Sequence, residues 1–306
     1  MFNFLLSSTI SLYCKNYGKY FNIECKYRNI IDANAANTLI YELLQTDVPC
    51  IIYRYGGTEF KILREYEKIL FGFKKKFSVI YCENIFNLSC FFPANYTYIV
   101  KFCKLMHICA MEVDLLGVWL GPLEEYFQKY SSTQAKICKL RALEPYYHTS
   151  SWTRTLEGKS VLIIHPFDIS IQKQYQIRGK LFTDKDILPF FELKTLRSVQ
   201  GLAGNDTGFT SWFDALGYMK DKIASTDYDF AILSCSAYAF PLASFIKTIG
   251  KKAIHLGGAT QILFGIRGNR WDTHPFISKL YNKYWCSPSE SEYISNANIV
   301  ENSCYW

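Results

Sequence analysis

Residues 228–258 read YDFAILSCSAYAFPLASFIKTIGKKAIHLGG. The first eight have the length and apolar content of a buried strand. A small-residue turn follows. Apolar positions at helical spacing then carry the chain to Gly250, a residue suited to a helix end. A second apolar run, 251–258, stops on Gly257 and Gly258. Strand, helix and strand in this order make a crossover unit, and crossovers join parallel strands. The stretch predicts a parallel sheet covered by helices.

The same alternation extends outward. VPCIIYRY, 48–55, reads as a buried strand, broken by Gly56-Gly57. TEFKILREYEKIL, 58–70, continues as a helix with Thr58 as N-cap. Residues 33–46 form an earlier helix by apolar spacing. KSVLIIHPF, 159–167, is a further strand, and a helix capped by Asp168 follows it. Residues 190–200 read as a strand and 208–226 as an amphipathic helix. Between 78 and 140 the pattern is mainly helical, with one strand-like run, DLLGVWL, at 114–120. From Ala259 onward the chain reads as loops and a tail. The expected fold is one α/β domain over 1–306, a doubly wound, mostly parallel Rossmann-like sheet with helical additions.

Composition narrows the classes. Of 306 residues, 49% are hydrophobic and 20% charged, ample for a core. Tyr and Phe number 23 each; that many aromatics build a bulky core and also suit sugar and base faces. The net charge of +7 reads either as ordinary solubility or as attraction to the phosphates of nucleotides, nucleic acid or anionic lipid. Lys74-Lys75-Lys76 is too short for a nucleic-acid arm and reads as a solvated loop. Eleven scattered cysteines with no Cys-x-x-Cys pair predict reduced, buried thiols and a cytoplasmic location. The sequons at Asn87, Asn95 and Asn205 are then chance matches. MFNFLLSSTISLY at the start is shorter than the ~20 residues of a bilayer span. It has no basic leader or cleavage site and reads as a packed helix or strand, with a peripheral membrane contact as the lesser option.

In parallel sheets ligands bind beyond the carboxyl ends of the strands. Four such ends carry chemistry. At the first, Arg54, Gly56 and Gly57 precede Glu59, which is either a first-turn acid favoured by the helix dipole or a working carboxylate. At the second stands His165, a structural residue or a base. At the third, Ser236 and Tyr238 lie in a turn whose amides suit a phosphate, although the segment is neither a dinucleotide fingerprint nor a P-loop. The fourth holds His255, Gly257, Gly258, Gln261, Arg267, Arg270 and Trp271 within a short span. Its two arginines either bind a diphosphate or pair with carboxylates. Asp206, in QGLAGND, is a candidate base or ligand in a sequence that also suits a plain turn.

RYGGTEF, VLIIHPF and residues 230–258, in that order, resemble the GT-D type of bacterial glycosyltransferase over roughly residues 50–272. The closing ENSCYW and GIRGNRW look like a narrower branch of polysaccharide-biosynthesis proteins. The resemblance implies a nucleotide-diphosphate sugar, a UDP-sugar foremost, across the strand ends, and a glycan acceptor. It implies an N-terminal half, 1–150, with the glycine turn, a nucleotide-binding half, 151–272, and a tail, 273–306. It also implies Mn²⁺ or Mg²⁺ on an Asp-x-Glu pair. Here Gly57 stands at the Asp position, so Glu59 alone remains as metal ligand, or arginines take over the charge.

The expectation is a nucleotide-sugar-dependent glycosyltransferase with Glu59, His165 and Asp206 as catalytic candidates. Arg54, Gly56, Gly57, Ser236, Tyr238, His255, Gly257, Gly258, Gln261, Arg267 and Arg270 are expected at the nucleotide sugar. Trp212 and Trp271 are expected to be exposed and to stack on sugar rings. The alternative is a non-catalytic nucleotide- or glycan-binding module. A nucleic-acid binder is disfavoured by the lack of a basic stripe.

Overall fold

The computed structural model describes residues 30–132 and 134–306, so the segment MFNFLLSSTISLY lies outside the described residues. One sheet of eight parallel strands runs through them, in the order β1-β4-β3-β2-β8-β7-β5-β6. The strands are β1 (Ile30–Ile31), β2 (Ile51–Tyr53), β3 (Leu115–Val118), β4 (Lys136–Lys139), β5 (Ser160–His165), β6 (Glu192–Arg197), β7 (Phe230–Leu233) and β8 (Lys252–His255). Both halves of the chain therefore build one Rossmann-like sheet, joined where β2 pairs with β8.

Helices fill the crossovers: α1 (Ala33–Gln45), α2 (Gly57–Leu70), α3 (Val79–Leu88), α4 (Tyr96–Ala110), α5 (Pro122–Ser131), α6 (Asp168–Gln176), α7 (Trp212–Ala224) and α8 (Ala239–Thr248). Two short helices, α9 (Ala259–Leu263) and α10 (Asn269–Asp272), follow β8, in what reads from the sequence as loop.

The central strands are buried throughout, as their unbroken apolar runs require. β6 is at an edge and carries Glu, Lys and Arg, which discourage pairing with another chain. β4 is absent from the sequence reading, which takes 78–140 as mainly helical. Its four residues, KICK, bury only Ile137 and Cys138, too little for a local signal; its pairing with β3 makes it a strand. Two caps also differ. α2 is capped by Gly56, with Thr58 already inside the helix, and α6 begins at Asp168 with Phe167 as its cap. Nine described cysteines are free thiols, seven of them buried. Among the described residues no helix is long and apolar enough to cross a membrane.

β5 leads outward to β6 while β7 leads back to β8. Connections leaving neighbouring strands in opposite directions open a crevice at the strands' carboxyl ends. That is where the chemistry-bearing residues gather.

Candidate functional site

A cavity of about 360 Å³ lies over the carboxyl ends of β2, β3, β5, β7 and β8. Arg54, Trp119, His165, Ser234 and His255, each at or just beyond the end of its strand, all line it. The first turn of α2 and residues 300–306 close its sides.

The glycine pair places Glu59. Gly56 is the N-cap of α2, with φ −73° and ψ 142°, and Glu59 is the third helical residue. From there the side chain folds back over Gly56. A Cβ on Gly56 would lie 1.9 Å from Glu59 Oε2, so only glycine leaves room for the carboxylate. Glu59 is buried, and burial pushes its carboxyl above the usual range. Its own backbone N–H, the Ser89 hydroxyl and Arg54 pull the other way, with less effect. A buried acid without an ion pair at close range, facing a crevice, departs from the solvated first-turn acid that the helix dipole alone would favour.

Arg54 is one of three cations that line the crevice, with Lys61 and Arg270. Its guanidinium lies over the Trp119 ring, 4.8 Å from the centroid. Its Nε is buried with no hydrogen-bond partner. Gly257, at φ +59°, lets it in: a Cβ there would stand 2.7 Å from Arg54 Nη1. An unpartnered buried N–H is costly, and an anion entering the crevice would meet it.

The two histidines hold opposite tautomers. The Phe167 amide donates to His165 Nδ1 at 2.9 Å, so the ring proton sits on Nε2. His255 Nδ1 lies 2.9 Å from the Arg54 carbonyl, an acceptor, so here Nδ1 carries the proton and Nε2 keeps its lone pair. Burial pushes both rings down to about 3, and Arg54 adds to the effect at His255. Both are therefore neutral at pH 7. His165 offers an N–H donor, and His255 offers an acceptor.

The other candidates divide. Gly57, Ser236 and Gly258 line the crevice. Gln261 lines it too, but its amide is bound to the carbonyls of Arg267 and Tyr305 at 2.8 and 2.7 Å, which ties the closing segment down. Arg270 also lines it, holding Glu301 in an ion pair and donating to the Tyr305 hydroxyl at 3.2 Å. Arg267 stands outside the lining, over the Tyr281 ring and 3.7 Å from Asp272. Tyr238 is buried in the core, stacked on Trp212 at 5.0 Å. The Ala237 and Tyr238 amides, expected at a phosphate, already bond the carbonyls of Ser89 and Cys235. Asp206 is exposed, away from the lining, and its Oδ1 accepts the Gly208 amide at 3.0 Å in a local turn.

The expected stacking tryptophans are corrected. Trp212 is 0% and Trp271 8% exposed; both anchor packing. Trp119, 47% exposed, is the indole at the crevice. Its Nε1–H donates to the Tyr55 carbonyl at 2.9 Å, and its amide donates to Glu124 at 2.8 Å, which fixes the ring plane. The signal was in the sequence: Trp119 is the second-last residue of the strand-like run DLLGVWL, a fifth strand end. Lys61, one helical turn past Gly57, is a second residue missed, because nothing local marks a helix position that faces a crevice.

The side chains at the crevice do not by themselves form a closed cation site. Among the described residues no three His, Cys, Asp or Glu side chains converge. Of the carboxylates at the crevice, Glu301 is paired to Arg270 and Glu59 stands beside Gly57 rather than a second acid. A hard cation takes six or more oxygens, and on a diphosphate most of them come from phosphate and water. The arrangement presents three cations, Arg54, Lys61 and the Glu301-paired Arg270, with one buried acid, a neutral donor and a neutral acceptor around one cavity. Comparison of the chain with family models, curated proteins and solved structures gives no match.

Proposed function

We propose that the chain is a glycosyltransferase of GT-D type, moving a sugar from a nucleotide diphosphate, foremost UDP, to a glycan hydroxyl. The observation that carries this reading is the pairing, in one crevice, of an unpartnered buried Arg54 Nε with a buried Glu59 of raised pKa. A diphosphate leaving group needs the first, and an attacking hydroxyl needs the second.

In this reading the acceptor oxygen forms a bond to the anomeric carbon while the bond from that carbon to the phosphate oxygen breaks. The hydroxyl proton passes to Glu59. The negative charge that develops on the diphosphate is met by the Arg54 guanidinium and by the amides of the first turn of α2. Glu59 is a better base than either histidine, because a raised carboxyl lies nearer neutrality than a ring at about 3. His165 then donates to a ligand oxygen and His255 accepts from a ligand hydroxyl or N–H. Trp119 supplies a flat apolar face for a sugar ring. No step runs through a metal.

The test is calorimetry and donor turnover with UDP-, GDP-, CMP- and dTDP-sugars, each with Mn²⁺ and with EDTA. The reading requires one nucleotide to bind and its sugar to be released or transferred, with EDTA without effect. Glu59→Gln is expected to abolish turnover and leave binding and the fold intact. Binding without any turnover in the wild type would mark a non-catalytic module. No binding to any nucleotide would remove the reading.

A further inference from the structure

At the end remote from the crevice, α2 and α3 meet in a surface of different character. α2 closes in a Schellman turn: the amides of Gly72 and Phe73 donate to the carbonyls of Ile69 and Lys68 at 3.1 and 2.9 Å, with Gly72 at φ +77°. One buried carboxylate ties the loop that follows. Glu65, 2% exposed, accepts from Lys74 Nζ, from the Ser78 hydroxyl at 2.8 Å and from the Ser78 amide at 3.3 Å. Phe77 turns inward onto Tyr66, with ring centroids 6.4 Å apart.

So the loop has a fixed shape, and it presents apolar side chains outward. Val79 is 69%, Ile80 61% and Leu70 48% exposed. Tyr96, beside Phe77, is 52% exposed. Residues 70–80 carry three lysines and no acid. Lys74 is held by Glu65, while Lys75 and Lys76 are exposed among the apolar groups. The flanking acids along the chain are Glu67, which is buried, and Glu83, one turn further along α3. Folding explains the buried members of this segment and leaves the outward ones unexplained. An apolar cluster of this kind marks an interaction site.

We propose that residues 70–80 dock on the anionic surface of a lipid bilayer. The chemistry matches on two counts. Val79, Ile80 and Leu70 suit the boundary between headgroups and acyl chains, and Lys75 and Lys76 suit anionic headgroups. Neither signal suffices alone, and together they give reversible attachment. α2 has 14 residues, so the crevice stands roughly 20 Å from the docked face and stays open. The inference is independent of the nucleotide-sugar reading.

The test is sedimentation of the full chain with vesicles of phosphatidylcholine alone or with about a third phosphatidylglycerol. Wild type is expected to partition onto the anionic vesicles and to be released by high salt. Val79→Asp with Ile80→Asp, and separately Lys75→Glu with Lys76→Glu, are expected to lower the partition coefficient roughly 10-fold or more. Their melting temperatures should match wild type, because all four side chains are exposed. Equal partition onto both vesicle types overturns the proposal, as does undiminished binding by the variants. Absence of binding, with a concentration-dependent dimer lost in the Asp variant, would assign the face to a second copy instead.

Discussion

Gly56→Ala is the sharpest test of how the glycine turn positions Glu59. The backbone at Gly56 is ordinary, at φ −73° and ψ 142°, so alanine adopts it without strain. The obstacle is the Glu59 carboxylate, 1.9 Å from the new Cβ, whereas real Cβ contacts stay beyond 3.0 Å. The carboxylate is the far end of a flexible side chain, so it yields and the helix stays. It must move by more than an ångström. A shift of that size at a reacting group costs on the order of 100-fold in rate. The cost in stability is small. Alanine is a poorer N-cap than glycine by about 0.5–1 kcal/mol, which lowers Tm by roughly 1–3 °C in a chain of this size. Gly57→Ala is the control. Its Cβ would meet Trp119 and Leu120 at 3.6 Å, ordinary contact, and alanine favours the first helical turn by up to about 1 kcal/mol. The pair is read by thermal melting and by donor turnover. Carbon-13 NMR of the Glu59 carboxyl reads the displacement without turnover, as a fall in its pKa toward the ordinary range. If Gly56→Ala keeps both the wild-type rate and the raised carboxyl, Glu59 does not occupy the place assigned to it.

The histidines set an acid limit on stability. Burial holds His107 at about 4 and His165 and His255 at about 3, while the unfolded chain titrates near 6.5. Folded pKa values below the unfolded ones mean stability that is present above pH 6.5 and lost as pH falls toward those values. Three rings lose up to about 4 kcal/mol per pH unit between 6.5 and 4.5; a denaturation midpoint that stays level from pH 7 to 5 contradicts the buried neutral rings. Trp119→Ala is expected to raise the acceptor KM and leave Tm within a few degrees, whereas Trp212→Ala, in the core, costs about 3–5 kcal/mol; equal melting points would reverse the two assignments. Arg54→Ala should weaken nucleotide binding by ~1.5–3 kcal/mol, the loss for a hydrogen bond to a charged group. Arg267→Ala, outside the lining, should leave it unchanged in the same calorimetric titration, and the opposite order would move the phosphates to the far rim.

The architecture was legible because buried parallel strands announce themselves. FAILSC, SVLIIH and CIIY are largely apolar runs of strand length bounded by turns, as strands of a buried parallel sheet require. β4 was not legible, because two buried residues between lysines carry no period. Caps were misplaced at Thr58 and Asp168 for a related reason. Cap preference is local, whereas the point where a strand turns into a helix is set by the sheet edge. The strand-end rule brought Arg54, Glu59, His165 and His255 to one crevice from segments as far apart as residues 54 and 255. It did not say which nearby polar groups reach that crevice. Arg267 and Arg270 are three residues apart, and only Arg270 lines it.

By itself, then, the sequence determined the parallel α/β layering, the strand ends that hold the chemistry and the glycine positions that allow close approach. These depend on period, chain order and the absence of a Cβ, all of them local. Tertiary structure alone decided that Trp212 is packed in the core rather than exposed, and that the buried Arg54 Nε has no hydrogen-bond partner. It also decided that one imidazole donates where the other accepts. Those outcomes depend on burial and on hydrogen-bond partners distant in the chain, which no spacing of residues encodes.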